Sequence, residues 1–160
     1  MTNEERIKNL SVPSGKIDVV LDTDAYNEID DQFAISYMMK SKEKINVKAI
    51  CAAPFYNAHS EDPKDGMEKS YDEILKLLSL MKENVNVFMG AEKYLDDEES
   101  PVISDASKMM AELSNDYSPE KPLYVVAIGA ITNVASALLI NPKMKNNVVV
   151  VWLGGHAWHY

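Results

Sequence analysis

Between Asp22 and Asp31 the chain places five carboxylates in ten residues: Asp22-Thr23-Asp24-Ala25-Tyr26-Asn27-Glu28-Ile29-Asp30-Asp31. Carboxylates this close repel one another. Directly after an apolar run they are also costly to desolvate unless a cation or a hydrogen-bonding ligand compensates them. The chemistry such a stretch can do is therefore cation binding. Its donors are hard oxygens, with no histidine or cysteine nearby, which favours calcium or magnesium over zinc. Helix capping accounts for Asp30 or Asp31 taken singly, because the first turn of a helix favours negative charge. It does not account for Asp22 and Asp24, which precede that turn.

Two other acidic motifs begin in the same way. An EF-hand loop requires glycine at its sixth position and glutamate at its twelfth. Counted from Asp22, those places hold Asn27 and Phe33, and the EF-hand is excluded. A haloacid dehalogenase-type phosphatase is the second, since Val19-Val20-Leu21-Asp22-Thr23-Asp24 is similar to that family's strand and DxD motif. The chain then continues Ala25-Tyr26-Asn27 where that family usually has glycine and threonine or valine, and the motif gives no reason for Asp30-Asp31.

The elements that must position these residues follow from hydrophobic periodicity. Ile17 to Leu21 reads as a buried strand carrying Asp22 and Asp24 at its end, and Ile29, Phe33, Tyr37, Ala34 and Met38 recur at helical spacing to about Lys40. Further strands are expected at Val47–Ala53, Val85–Met89, Leu123–Ile128 and Val148–Leu153. Helices are expected at Met67–Leu80, at Ser104–Leu113 with Ser104 as its cap, and at Thr132–Ile140, ended by Asn141-Pro142. The run Asp96-Asp97-Glu98-Glu99 reads as a solvated loop.

Continuously apolar strands alternating with helices predict an α/β fold, a mostly parallel Rossmann-like sheet flanked by helices. Residues 1–15 read as a polar N-terminal arm and residues 16–160 as one domain. In such sheets ligands bind outside the carboxyl ends of the strands. Those ends carry Asp22 and Asp24, then Asn57, Gly90, Gly129 and Gly154-Gly155-His156, so the site is expected there.

Composition narrows the partners. The 160 residues carry a formal net charge of −9, with 46% hydrophobic and 26% charged residues, and no basic patch, which argues against nucleic acid and anionic membranes. Cys51 is the only cysteine, which rules out an intrachain disulfide and a cysteine-based zinc cluster. The first ten residues are polar, with no apolar core of a signal peptide, and no stretch is long enough to span a bilayer; a cytoplasmic location is expected.

Leu21-Asp22-Thr23-Asp24, followed by Ile29-Asp30-Asp31 and Phe33-Ala34-Ile35, resembles the signature of the inosine/uridine-preferring nucleoside hydrolases, usually written DTDPGxDDAxA. Val126-Ala127-Ile128-Gly129-Ala130-Ile131-Thr132-Asn133-Val134-Ala135 is similar to that family's second block, a strand followed by GxxTN and a helix. Val149 to Gly155 is similar to the strand and glycines that come next. The resemblance implies the nucleoside hydrolase fold and hydrolysis of the N-glycosidic bond of a ribonucleoside by a Ca²⁺-activated water. It implies that Asp24 and Asp31 bind Ca²⁺ with the backbone carbonyl of Ile128, and that Asp24 accepts the proton of the water. Asp30 would hydrogen-bond ribose hydroxyls, Asn57 would face the sugar, and Asp22 would orient the loop from behind.

Where the family has Pro-Gly this chain has Ala25-Tyr26-Asn27-Glu28, two residues more, which brings Asn27 and Glu28 within reach of substrate. The resemblance also places ribose-binding asparagines, a glutamate and a further calcium-binding aspartate beyond the fifth strand. The expectation is that this chain carries only part of the site, completed by a further C-terminal chain or within a homo-oligomer. The alternative is a catalytically incomplete fold remnant retaining weak metal or nucleoside binding. His156 and His59 read as incidental or solvated, as does His159. Tyr26 is a candidate cover for the sugar or base, and Trp152 and Trp158 are candidates for base stacking, with Trp152 more simply read as core.

Overall fold

The computed structural model describes residues 2–155. The elements run α1 (Asn3–Asn9), β1 (Ile17–Thr23), α2 (Ile29–Lys40), β2 (Ile45–Ala52), α3 (Pro63–Met81), β3 (Asn86–Phe88), α4 (Asp105–Leu113), β4 (Leu123–Ala127), α5 (Thr132–Ile140) and β5 (Val148–Trp152). All neighbouring strands pair in parallel, in the order β3-β2-β1-β4-β5. This is the expected α/β fold with a Rossmann-like order. The order in which strands are added across the sheet reverses between β1 and β4, the topological switch point at which such sheets bind ligands.

Successive strand residues point to opposite faces, so each strand feeds two cores. Val20, Ala49, Cys51, Leu123, Val125 and Ala127 pack against α4 and α5 through Met110, Val134 and Ala137. Leu21, Ile50 and Ala52 pack against α2 and α3 through Ile35, Met39, Ile74 and Leu78. Each fully buried aliphatic side chain contributes about 1.5–3 kcal/mol, and β1, in the middle of the sheet, is buried from Val19 through Thr23. One extra residue in β2, Lys48, shifts the β1–β2 register between Val19 and Val20.

Three elements differ from the sequence reading. The N-terminal arm contains a helix, α1, closed by a capping box in which Thr2 and Glu5 satisfy each other's backbone N–H groups. Asn9 ties it to the rest of the chain by donating to the Pro119 carbonyl at 2.6 Å. Helix α3 begins a turn earlier than its apolar periodicity, because Asp62 caps it and Pro63 occupies its first position. In α2 the residues that gave the helical period, Ile29, Phe33 and Tyr37, face solvent, whereas Asp31, Ile35 and Met39 are buried. Turning Asp31 into the crevice fixes the rotation of the helix, and Ile35 and Met39 follow it at i+4 and i+8.

Candidate functional site

The strand that delivers Asp22 also delivers Thr23, and the chain then turns sharply. Asn27 N–H donates to the Asp24 carbonyl at 2.7 Å, closing a turn whose Ala25 is fully buried and whose Tyr26 points outward. The two additional loop residues are absorbed by this turn. The Asn27 amide returns to the site, donating from Nδ2 to Asp24 Oδ2 at 3.0 Å. Asn57, on the loop after β2, donates in turn to Asn27 Oδ1 at 2.6 Å. Asp24, Asn27 and Asn57 thus form one hydrogen-bonded chain across the mouths of β1 and β2.

Asp24 and Asp31 are 6% and 5% exposed, and the Thr23 hydroxyl donates to Asp31 Oδ1. Burial raises both carboxyls above their ordinary range, Asp31 to about 7. The hydrogen bonds from Asn27 and Thr23 act in the other direction, and neighbouring carboxylates add to the rise, Glu28 and Asp30 at both sites and Asp24 at Asp31. Among the described residues, the charges that act on these two groups most strongly are carboxylates. Asp30 and Glu28 themselves are exposed at the rim, with Glu28 at the N-cap of α2 making no side-chain cap bond.

Asp22 lies deeper. It is fully buried, Asn133 Nδ2 donates to its Oδ1 at 2.8 Å, and its Oδ2 has no partner. Burial pushes its carboxyl up to about 7, against the Asn133 hydrogen bond and with the Asp24 charge reinforcing the rise. Ionising it there costs about 4 kcal/mol relative to water, as much as two buried aliphatic side chains supply. A group so costly to ionise, at the carboxyl edge of the sheet, has the environment of a functional position.

Opposite Asp24, β4 is followed by Ile128 and Gly129. Ile128 N–H donates to the Asp22 carbonyl at 2.9 Å, continuing the β1–β4 ladder. Gly129 approaches so closely that a Cβ there would stand 2.6 Å from Asp24 Oδ1, so only glycine fits. The structure therefore brings Asp22, Asp24, Asn27, Asn57, Ile128 and Asp31 to one edge, with Asp30 and Glu28 around it. Among the described residues no group of three or more His, Cys, Asp or Glu side chains is arranged to hold a metal ion.

Three further residues belong to this edge. Asn133 was visible only as part of the GxxTN block. Besides holding Asp22 it donates to the Ala52 carbonyl at 3.1 Å and accepts from Ala91 N–H at 2.7 Å, joining four segments. Tyr94, in the connection after β3, has its phenol raised by burial and by the Asp24 charge, while the Tyr56 backbone hydrogen-bonds to it. The signal for Tyr94 was topological, because the loop leaving β3 at Gly90 has to emerge on this edge. Trp152, read as core, is 47% exposed and donates from Nε1 to the Gly129 carbonyl at 3.1 Å. Tyr26 is also exposed, with Lys69 Nζ 5.9 Å from its ring centroid. His59 is exposed, and its backbone N–H donates to Asn57 Oδ1. His156, His159 and Trp158 lie outside the described residues.

The doubly wound parallel sheet carries its acidic cluster at the switch point, the position at which α/β sheets bind ligands. The sequence model of the inosine-uridine preferring nucleoside hydrolase family matches residues 19–159, and the chain belongs to that family. No curated protein matches it. Membership displaces the phosphatase alternative. No helix among the described residues is long and apolar enough to cross a membrane.

Proposed function

We propose that this chain carries the first part of a Ca²⁺-dependent ribonucleoside hydrolase site, with Asp24 and Asp31 as carboxylate ligands and the Ile128 carbonyl as a third donor. The observation that carries this reading is the pair of buried carboxylates, Asp24 and Asp31, whose principal charged neighbours are all carboxylates. Such an arrangement fits a hard divalent cation and disfavours burial without one. Two carboxylates and a carbonyl are fewer than the six to eight oxygens calcium takes. The remaining ligands are assigned to water, to substrate and to residues outside the described segment, supplied by further chain or by a partner copy.

When bound, the cation lowers the pKa of a coordinated water. The residues of the chain do the rest. Asp24, at the carboxyl end of β1, takes the proton of the attacking water. The Asn27–Asn57 chain holds the carboxylate in orientation. Asp30, exposed at the rim, is free to accept hydrogen bonds from ribose hydroxyls. The water oxygen bonds to the anomeric carbon, the C–N bond breaks through an oxocarbenium-like state, and the base leaves with the bonding electrons and is protonated. Asp22, behind the loop, holds Asn133 and accepts the Ile128 N–H on its carbonyl.

The test is a calorimetric titration of the protein with CaCl₂, together with inosine and uridine turnover. Asp24→Asn and Asp31→Asn should each abolish Ca²⁺ binding, and undiminished binding in both variants would falsify the assignment. The described shell is only partial, and this specifically favours the second reading, a remnant that binds Ca²⁺ weakly without turnover. Binding without any hydrolysis, in a protein that includes whatever completes the shell, selects that reading.

A further inference from the structure

Trp152 closes β5 at the edge where the crevice opens. Nearly half of it is exposed, yet its indole N–H is directed onto the Gly129 carbonyl at 3.1 Å. The ring lies against Gly154, where a Cβ would stand 2.5 Å from Nε1. A valine or leucine would serve the end of this strand equally well as packing, so the hydrogen bond is what distinguishes a tryptophan here.

That bond completes a bracket. On the upstream side, Ile128 N–H is fixed to the Asp22 carbonyl at 2.9 Å. On the downstream side, the Gly129 carbonyl is fixed by the indole. The peptide between them contains the Ile128 carbonyl. Gly129 is the soft link, because glycine is the residue least restricted by its own sterics, and close approach to Asp24 forbids any side chain that would stiffen it. Without the indole, the glycine is free to turn and the Ile128 carbonyl turns with it.

We propose that Trp152 is a positioning residue that sets the orientation of the Ile128 carbonyl by holding the Gly129 carbonyl with its indole N–H. The role rests on the calcium reading above. Partners that orient metal ligands from behind are typically worth about 10–100-fold in metal affinity, and a single indole bond acting through one peptide belongs at the lower end. The substitution that isolates it is Trp152→Phe, which keeps an aromatic ring and removes only the donor.

The experiment is titration of the protein with CaCl₂ alone, followed by calorimetry, for the unmodified chain, Trp152→Phe and Asp24→Asn. Backbone hydrogen exchange at Gly129 and Ala130 is measured without metal. Trp152→Phe should bind Ca²⁺ about tenfold more weakly, with unchanged circular dichroism and faster exchange at those two amides. A Trp158→Phe protein, in which Trp152 is the only tryptophan, should show an emission change on Ca²⁺ addition. If Asp24→Asn abolishes binding and Trp152→Phe leaves affinity and exchange unchanged, the positioning role is overturned and the calcium site stands. If neither the unmodified chain nor a protein that includes whatever completes the shell binds Ca²⁺, both fall.

Discussion

At the amino end of β1, Asp18 accepts hydrogen bonds from the Asn46 amide and the Tyr117 hydroxyl and lies in the field of Lys48 and Lys121. Burial alone would raise its carboxyl, and these partners instead hold it below its ordinary value. At the carboxyl end of the same strand, Asp22, with Asp24 just beyond it, is raised by burial, and so is Asp31 on α2 that faces them. Their charged neighbours are other carboxylates, and one oxygen of Asp22 has no partner at all. Asp18 and Asp22 stand four positions apart on one strand; among the described residues, lysines act on the first, whereas the charge acting on the second is the Asp24 carboxylate. An acidic group that is compensated by the protein is serving structure. One that is buried and left uncompensated is held towards its protonated form or is a candidate for an outside partner, and the two ends of β1 show the two environments on one element.

The sharpest way to break that comparison is to neutralise each end. Asp24→Asn or Asp31→Asn in the complete enzyme should lower kcat/KM for inosine by about 10³-fold or more, the scale expected when a metal ligand or general base is removed. Asp18→Asn should leave it within about twofold, a change below 0.5 kcal/mol. Equal losses at both ends would mean that the distinction drawn here has no functional content. For the 160-residue chain alone, turnover of inosine, adenosine, uridine or cytidine in millimolar calcium should be slight or absent, and efficient turnover would refute the partial-site reading.

The next effect is on pH dependence and has opposite signs at the two ends. Asp22 and Asp31 are raised from 3.8 to about 7, so between those values the folded state holds more protons than the unfolded one. Stability present below the unfolded pKa is therefore lost as pH rises through about 7. For Asp22 the loss is on the order of 4 kcal/mol. Asp18, lowered in the fold, contributes stability above its unfolded value that is lost as pH falls. The metal-free protein should melt at lower temperature at about pH 8 than at about pH 5, with Ca²⁺ recovering part of the difference by binding the folded state. Asp22→Asn should flatten the profile, and a melting temperature that climbs across this range would contradict the assignment.

Smaller effects distinguish the supports. Asn133→Ala removes hydrogen bonds to Asp22, Ala52 and Ala91 from a fully buried position. It should cost about 3 kcal/mol in chemical denaturation. Thr2→Ala, at the far end of the molecule, removes only the cap of α1 and should cost about 1 kcal/mol or less with no change in calcium affinity. A comparable loss from both would imply that the crevice is no more tightly organised than the N-terminal arm.

Much of this was legible in the chain. The order of elements, the parallel sheet and the edge that bears the site follow from apolar runs alternating with helical periodicity. Strand and helix burial impose those periods directly. Helix α1 was not legible, since its seven residues contain a single apolar one, Ile7, and so carry no apolar period; they are held by a capping box and by Asn9 on a distant loop. The rotation of α2 was not legible either. Its most periodic stripe, Ile29, Phe33 and Tyr37, lies on the solvent side, and the rotation is set by where Asp31 has to go.

The sequence by itself narrowed the kind of chemistry to look for, because five carboxylates in ten residues after a buried strand are costly to desolvate without a compensating cation or hydrogen-bonding ligand, whatever the fold. Only the tertiary structure decided the parts they play. Burial raised Asp24 and Asp31 and left Asp30 at the rim, the turn at Asn27 returned an amide to Asp24, and parallel pairing brought Gly129, Asn133 and Trp152 to the edge from over a hundred residues away. Desolvation and hydrogen-bond direction depend on what surrounds an atom in space, and neighbours that distant along the chain have no pattern in sequence by which to announce themselves.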